Sequence, residues 1–361
     1  MADIEKLKGR VSPSIRRAAA YDAQRPPCRI RLDGNESPFS LSPELLKGVL
    51  EEISKVPLNR YPDPDCAALK RALSDSTGVS PDGIIPGNGS DELIQIVIQT
   101  FCGGSGSVLV PSPTFSMYSL IASALGKKVV AQNLDAAFDL DEGAMLRAIE
   151  ETAPDVVFLA SPNSPTGNLF SLEKIEAVIS AAPGIVVADE AYFHFCGVTH
   201  IPLMKKYPNL AVMRTFSKIG FAALRLGVLF MEPALAAEAS KARLPYNINS
   251  LTQAAVKVFF ENGALFEENA KTVVRERELM FKNLSSIGGI TVFPGDANFL
   301  LIRFSSDRVA EDVRRALVEK GILTRNFSGG GVRDCLRVTV GLAGENREFE
   351  DALREAVRDG A

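Results

Sequence analysis

Leu210-Ala-Val-Met-Arg-Thr-Phe-Ser-Lys218-Ile-Gly-Phe-Ala-Ala-Leu-Arg225-Leu-Gly-Val-Leu-Phe230 is the stretch around which the rest of the chain is ordered. Leu210 to Met213 has the length and apolar content of a buried strand, and Gly227 to Phe230 reads as another. Between them lie Ser217 and Lys218. A lysine at such a place is ordinarily a solvated charge. Here the flanks are apolar and glycine-bearing, which takes Lys218 away from open water. A desolvated lysine gives up its proton easily and becomes a nucleophilic amine. The Ser217 hydroxyl and Arg225, seven residues beyond Lys218, add a donor and a fixed cation suited to a phosphate. An amine beside an oxyanion site is the pairing that a phosphorylated aldehyde requires.

Outward from this stretch, short apolar runs alternate with helical patterns. Ile84 to Pro86, Ser107 to Val110, Val156 to Ala160 and Ile185 to Ala188 read as strands, with helices spaced between them. This pattern predicts an α/β fold with a mostly parallel sheet covered on both faces and a ligand at the carboxyl ends of the strands. The large unit is expected over residues 31–245, after an N-terminal arm over 1–30. A smaller α+β unit is expected over 246–361, with a helical spine up to about Ser286 and one strand from Ile322 to Arg325.

A chain of 361 residues exceeds the size at which a single core keeps growing, which agrees with two units. The net charge of −4 comes with no basic block, so no nucleic-acid partner is expected. No signal-peptide core and no bilayer-length apolar run are present, which predicts a cytoplasmic protein without a membrane partner. Five cysteines, odd in number and without paired spacing, predict reduced thiols; with only two histidines, no metal site is expected.

Four other segments follow strands and carry chemistry. Gly87-Asn88-Gly89-Ser90-Asp91 opens a helix, where free N–H groups favour an anion; alone it also reads as a plain capped turn. Phe115, in Pro113 to Tyr118, reads either as core or as a face for a flat ring. Asn163, in Ser161 to Asn168, offers an amide at a strand end, in a loop that also reads as simple turn chemistry. Asp189, closing the run from Val186, is either a solvated strand end or a buried carboxylate. In the second case it needs a cationic partner, and the pyridinium nitrogen of a pyridoxal cofactor is one. Glu190 reads as a structural hydrogen-bonder and His194 as packing.

In order and spacing these segments resemble fold-type-I aminotransferases dependent on pyridoxal 5'-phosphate. The carriers are S-P-N-S-P-T-G around Asn163, D-E-A-Y from Asp189, and Ser217-Lys218 with Arg225 following. R-L-D-G-N-E-S-P, R-Y-P-D-P, G-N-G-S-D-E-L-I, P-T-F-S-M-Y and C-L-R-V-T-V-G are similar to histidinol-phosphate aminotransferases in particular. The resemblance implies that Lys218 holds the cofactor covalently and moves protons, and that Asp189 pairs with the ring nitrogen. Tyr192 and Asn163 would hydrogen-bond the ring's phenolic oxygen, and Phe115, where many relatives have tyrosine, would stack on the ring. Gly89, Ser90, Asp91, Ser217 and Arg225 would hold the phosphate, joined by Tyr61 from the second subunit of a homodimer with shared sites. Tyr21, Asn35, Arg325 and Arg337 would bind the substrate. The implied reaction is transfer of the amino group of L-histidinol phosphate to 2-oxoglutarate, giving imidazole-acetol phosphate and L-glutamate, a step of histidine biosynthesis. An aromatic amino acid aminotransferase and a threonine-phosphate decarboxylase-like lyase are the alternative readings.

Overall fold

The fold was determined as a computed structural model and describes residues 3–17 and 26–360. Its strands, in chain order, are β1 (Ile30–Arg31), β2 (Ile84–Gly87), β3 (Ser107–Ser112), β4 (Lys128–Asn133), β5 (Val156–Ala160), β6 (Ile185–Asp189) and β7 (Leu210–Thr215). They continue with β8 (Gly227–Phe230), β9 (Thr291–Phe293), β10 (Phe299–Arg303), β11 (Ile322–Leu323), β12 (Arg325–Asn326) and β13 (Cys335–Thr339). Seven of them form one sheet in the order β2-β8-β7-β6-β5-β3-β4. Within it β8 runs against its neighbours and the remaining pairs are parallel. The α/β architecture expected from the sequence is thus present.

Strands buried on both faces read as near-continuous apolar runs, and β5, β6 and β8 are buried throughout, with Asp189 at the end of β6 the one charged residue among them. Alternate residues feed two hydrophobic clusters, one on each face. Val157, Leu159, Val186 and Val212 join one, while Val156, Phe158, Val187 and Met213 join the other. The first face is covered by helices that include Pro43–Ser54, whose proline sits in the first turn and whose Ser42 hydroxyl caps Leu45 N at 3.3 Å. Helices Ser90–Phe101 and Met117–Ala124 cover the second.

The C-terminal part builds a four-stranded antiparallel sheet, β12-β13-β10-β9, with its own cluster around Phe299, Leu300, Leu317 and Phe349. The helical spine is broken at Asn262. Helix Ser250–Glu261 buries Ala255 and Val256 in the main core. Helix Gly263–Leu284 begins there at Phe266 and continues into the C-terminal core with Ala270, Val273 and Met280. Residues Ile30 to Leu32, which the sequence put at the border of arm and large unit, pack with the C-terminal unit instead. β1 pairs with β11, and Ile30 and Leu32 are buried in that cluster. The strand expected from Ile322 to Arg325 divides for the same reason: β11 turns to β1 and β12 to β13.

Candidate active site

Parallel strands deliver their carboxyl ends to one edge of the sheet, and the candidate residues lie along it. β6 ends in Asp189, β7 leads into Ser217 and Lys218, β3 leads to Phe115, and β2 leads into Gly89, Ser90 and Asp91. Reversed β8 starts at this edge, because Gly227 is in register with both Thr215 and Gly87. That register is why Arg225 arrives beside groups from strands running the other way.

Two glycines permit the approach. A Cβ on Gly227 would lie 2.7 Å from Gly89 C and 2.8 Å from Ser90 N, and one on Gly89, whose φ is +82°, would lie 2.7 Å from Arg225 Nη2. The twelve-residue helix Ser90–Phe101 has no side-chain cap at its start, so its first N–H groups face the pocket uncovered. Arg225 donates to Ser217 Oγ at 3.3 Å and stands 3.6 Å from Asp91 Oδ2. Thr215 Oγ1, which the sequence did not single out, is 3.0 Å from the Ser217 hydroxyl and accepts from Ser217 N at 3.2 Å. Open helix N–H groups, a guanidinium and hydroxyls together make an anion cradle.

The cradle forms part of the wall of an inner pocket of about 120 Å³, lined also by Phe115, Asp189, Tyr192 and Lys218. Asp189 is 4% exposed. Its Oδ2 accepts from Tyr118 Oη at 2.5 Å and its Oδ1 from Ala191 N at 3.0 Å. Burial pushes its carboxyl up to about 6, against the pull of those two donors. A carboxylate at the floor of a pocket, so burdened, calls for a cation above it. Lys218 Nζ donates to Gly34 O at 3.1 Å. Tyr192 Oη accepts from Asn35 Nδ2 at 2.8 Å, and Asn35 Oδ1 accepts in turn from the Thr339 hydroxyl at 3.1 Å.

An outer pocket of about 510 Å³ shares Phe115, Tyr192 and Lys218 with the inner one and adds Asn35, Arg325 and Arg337. Arg325 and Arg337 are directly opposed in the β12–β13 register. Like charges so placed repel, and an anion between them removes the repulsion. Arg337 donates to Ser164 Oγ at 3.0 Å and to Asp33 O at 2.7 Å, with its guanidinium 5.1 Å from the centre of the Phe299 ring.

Asn163 and Tyr61, two of the expected site residues, line neither pocket. Asn163 is fully buried and lines neither pocket. Its amide hydrogens go to Pro113 O at 2.9 Å and Thr166 Oγ1 at 2.8 Å, and its Oδ1 takes the Thr114 hydroxyl at 2.8 Å. It pins the loop, and the next residue, Ser164, faces both pockets. Asn163→Ala is therefore expected to cost roughly 2–3 kcal/mol in a denaturant melt, and a cost below about 0.5 kcal/mol would contradict this role. Tyr61 lines neither of these pockets; the residue is 82% exposed, and its ring stacks on Tyr246 at 4.6 Å. Tyr21 lies outside the described residues.

Glu190 and His194 are as read from the sequence. Glu190 accepts from Thr199 Oγ1, His200 N and Arg214 Nε, at 3.0, 2.5 and 2.9 Å, on the sheet face opposite Asp189. His194 packs edge-on to Phe193 and Phe259, and burial pushes it down to about 4. All five cysteines are free. No helix among the described residues is long and apolar enough to cross a membrane.

An open α/β sheet with a lysine, a buried aspartate and an anion cradle converging at its carboxyl edge defines a class. The chain belongs to the class I and II aminotransferase family, whose pattern matches residues 29–355. Within it, the chain is 46% identical over 347 residues to histidinol-phosphate aminotransferase 2 of Nitrosococcus oceani, covering 95% of this chain and 96% of that one. It is 40% identical to the histidinol-phosphate aminotransferase of Aquifex aeolicus, with 95% and 97% covered. The fold matches the crystal structure of histidinol-phosphate aminotransferase from Sinorhizobium meliloti in complex with pyridoxal-5'-phosphate, with a TM-score of 0.88, 23% identity and 98% of both chains covered. The resemblance drawn from the sequence motifs agrees with these relatives.

Proposed function

We propose that the protein transfers the amino group of L-histidinol phosphate to 2-oxoglutarate, using pyridoxal 5'-phosphate held by Lys218. The observation that carries this reading is the opposed pair Arg325 and Arg337 in a pocket continuous with Lys218. Two guanidiniums suit a phosphate ester or a carboxylate; the named relatives at 46% and 40% identity favour the phosphate.

The residues present fit the cofactor. The cradle of Ser90, the backbone N–H of Asp91, Ser217 and Arg225 suits its phosphate, Phe115 offers a ring face, and buried Asp189 supplies the anion for a ring nitrogen. When bound, pyridoxal phosphate supplies the electron sink for charge developing at the substrate's α-carbon. Lys218 Nζ is placed to take the α-carbon proton and to return it, the work of a general base and then a general acid. Tyr192 Oη, fixed by Asn35, faces the same space and can donate to a phenolic oxygen. Arg325 and Arg337 orient the substrate so that its amine reaches Lys218.

The remaining details extend the same reading. Tyr61, exposed on its own chain as Leu58 and Leu244 also are, serves the pocket of a second copy in a homodimer. Tyr21 approaches the substrate's phosphate, and the enzyme works in the cytoplasm. Residues 31–245 and 246–361 correspond to the large and small units, except that Ile30 to Leu32 pack with the small unit and helix Ser250–Glu261 with the large one, helix Gly263–Leu284 bridging their cores.

Arg337→Ala is expected to raise KM for histidinol phosphate by about a hundred-fold, a loss of about 2.7 kcal/mol of charge-assisted bonding, with a smaller change in kcat. An unchanged KM would remove Arg337 from the substrate site. The reading as a whole is tested by supplying the loaded enzyme with L-histidinol phosphate, L-phenylalanine and O-phospho-L-threonine in turn, with 2-oxoglutarate as acceptor. Glutamate formed efficiently from histidinol phosphate alone supports it. Glutamate formed only from phenylalanine would show that the arginines read a carboxylate, and carbon dioxide from phosphothreonine would show a lyase.

A further inference from the structure

We propose that Tyr118 is a positioning residue of the cofactor site, its hydroxyl holding Asp189 as an anion aimed at the ring nitrogen. The inference rests on the cofactor reading above and concerns a residue that the sequence did not assign to the site.

Alternation along β6 puts Ile185, Val187 and Asp189 on the sheet face that helix Met117–Ala124 covers, which is how the two side chains meet. Tyr118 is fully buried at the inner pocket wall. Its ring stacks on Phe158 at 4.6 Å with planes 5° apart, and Phe115 meets it edge-on at 5.5 Å. The ring therefore cannot swing away. A phenol has one proton to donate, and here it goes to Asp189 Oδ2 at 2.5 Å. With Ala191 N on Oδ1 at 3.0 Å, both carboxylate oxygens are oriented by donors fixed in the fold.

The direction of the effect follows from the groups around Asp189. Burial, Asp91 from helix Ser90–Phe101 and Glu190, the next residue in the chain, all favour the protonated acid, while Tyr118 and Ala191 N oppose them. Tyr192, Lys218 and Arg225 complete the ionisable lining of the pocket. Without the Tyr118 hydroxyl, Asp189 becomes a stronger base. A proton shared with a ring nitrogen then rests more on the carboxylate, and the ring withdraws electrons less. Tyr118 touches neither substrate nor reacting atoms in this account; it acts through Asp189.

The test is a double-mutant cycle of Tyr118→Phe and Asp189→Asn in the cofactor-loaded enzyme. Phenylalanine keeps the ring and its packing on Phe158 and removes only the hydroxyl. Tyr118→Phe is expected to lower kcat about ten-fold or more and to raise the cofactor's dissociation constant by a comparable factor. KM for the amino donor should stay within about two-fold, since no substrate contact is lost. The double variant should be no slower than Asp189→Asn alone, because the hydroxyl has nothing left to tune. A Tyr118→Phe enzyme with wild-type kcat and cofactor affinity would overturn the proposal, as would losses that multiply in the double variant. A wild-type protein that takes up no cofactor would instead overturn the underlying reading, so the two failures are distinct.

Discussion

Replacing Lys218 with alanine is expected to lower the rate of amino transfer on the order of 10⁴-fold while the protein stays folded. The size follows from the number of tasks assigned to one amine. In the proposed function, Nζ would be the covalent holder of the cofactor, the base for the α-carbon proton and the acid that returns it. The neighbouring hydroxyls of Ser217 and Thr215 are engaged with each other at 3.0 Å and cannot substitute at neutral pH. The fold has little to lose, since Nζ makes one hydrogen bond, to Gly34 O at 3.1 Å. A net loss of about 0.5–1.5 kcal/mol should leave the melting temperature within a few degrees. A small primary amine added to the variant should restore part of the rate, because it can move the proton though it cannot anchor the cofactor. A variant retaining a tenth of the activity would contradict the account.

Asp189→Asn is expected to divide stability from activity. The folded carboxyl titrates near 6 against an ordinary value of 3.8. A raised folded value means that the folded chain holds the proton more tightly than the unfolded chain. The associated stability is complete below about pH 4 and is lost as pH rises through about 6. At neutral pH the unloaded protein therefore carries a buried charge at a cost on the order of 3 kcal/mol. Asparagine has nearly the same shape and no charge. The unloaded variant should melt higher than wild type at pH 8 and differ much less at pH 4. Its kcat should fall by about 10²–10³, because an amide cannot stabilise a cationic ring nitrogen. Destabilisation at pH 8 would show that Asp189 is held by partners beyond Tyr118 and Ala191 N. Under the proposed function, that carboxylate would serve the cofactor at the expense of the unloaded fold.

The strand ends were the legible part of the site. Lys218, Asp189 and Ser90 each follow an apolar run, so a reading of strands alone brings them to one edge, and the reversed β8 brings Arg225 with them. Sequence could not separate Asn163 from Ser164. The two are adjacent, and which of them faces the pocket depends on the loop's path, set by Pro113 O, Thr114 and Thr166. Tyr118 was hidden for another reason. An aromatic on a helix face reads as core, and this one is core as well as site, its ring on Phe158 and its hydroxyl on Asp189. A buried tyrosine needs a partner for its hydroxyl, and that requirement was the available signal. The division of β11 from β12 was illegible because it depends on Ile30 and Arg31, nearly 300 residues earlier, arriving to pair with Ile322 and Leu323.

The measurement that goes most directly to the centre of this account is the location of the cofactor on the chain. The protein loaded with pyridoxal phosphate is treated with borohydride, digested, and its peptides are weighed. The account predicts one modified peptide, carrying the cofactor's mass on Lys218, in wild type, and none in Lys218→Ala. Modification of another lysine, or a protein that takes up no cofactor, would contradict it.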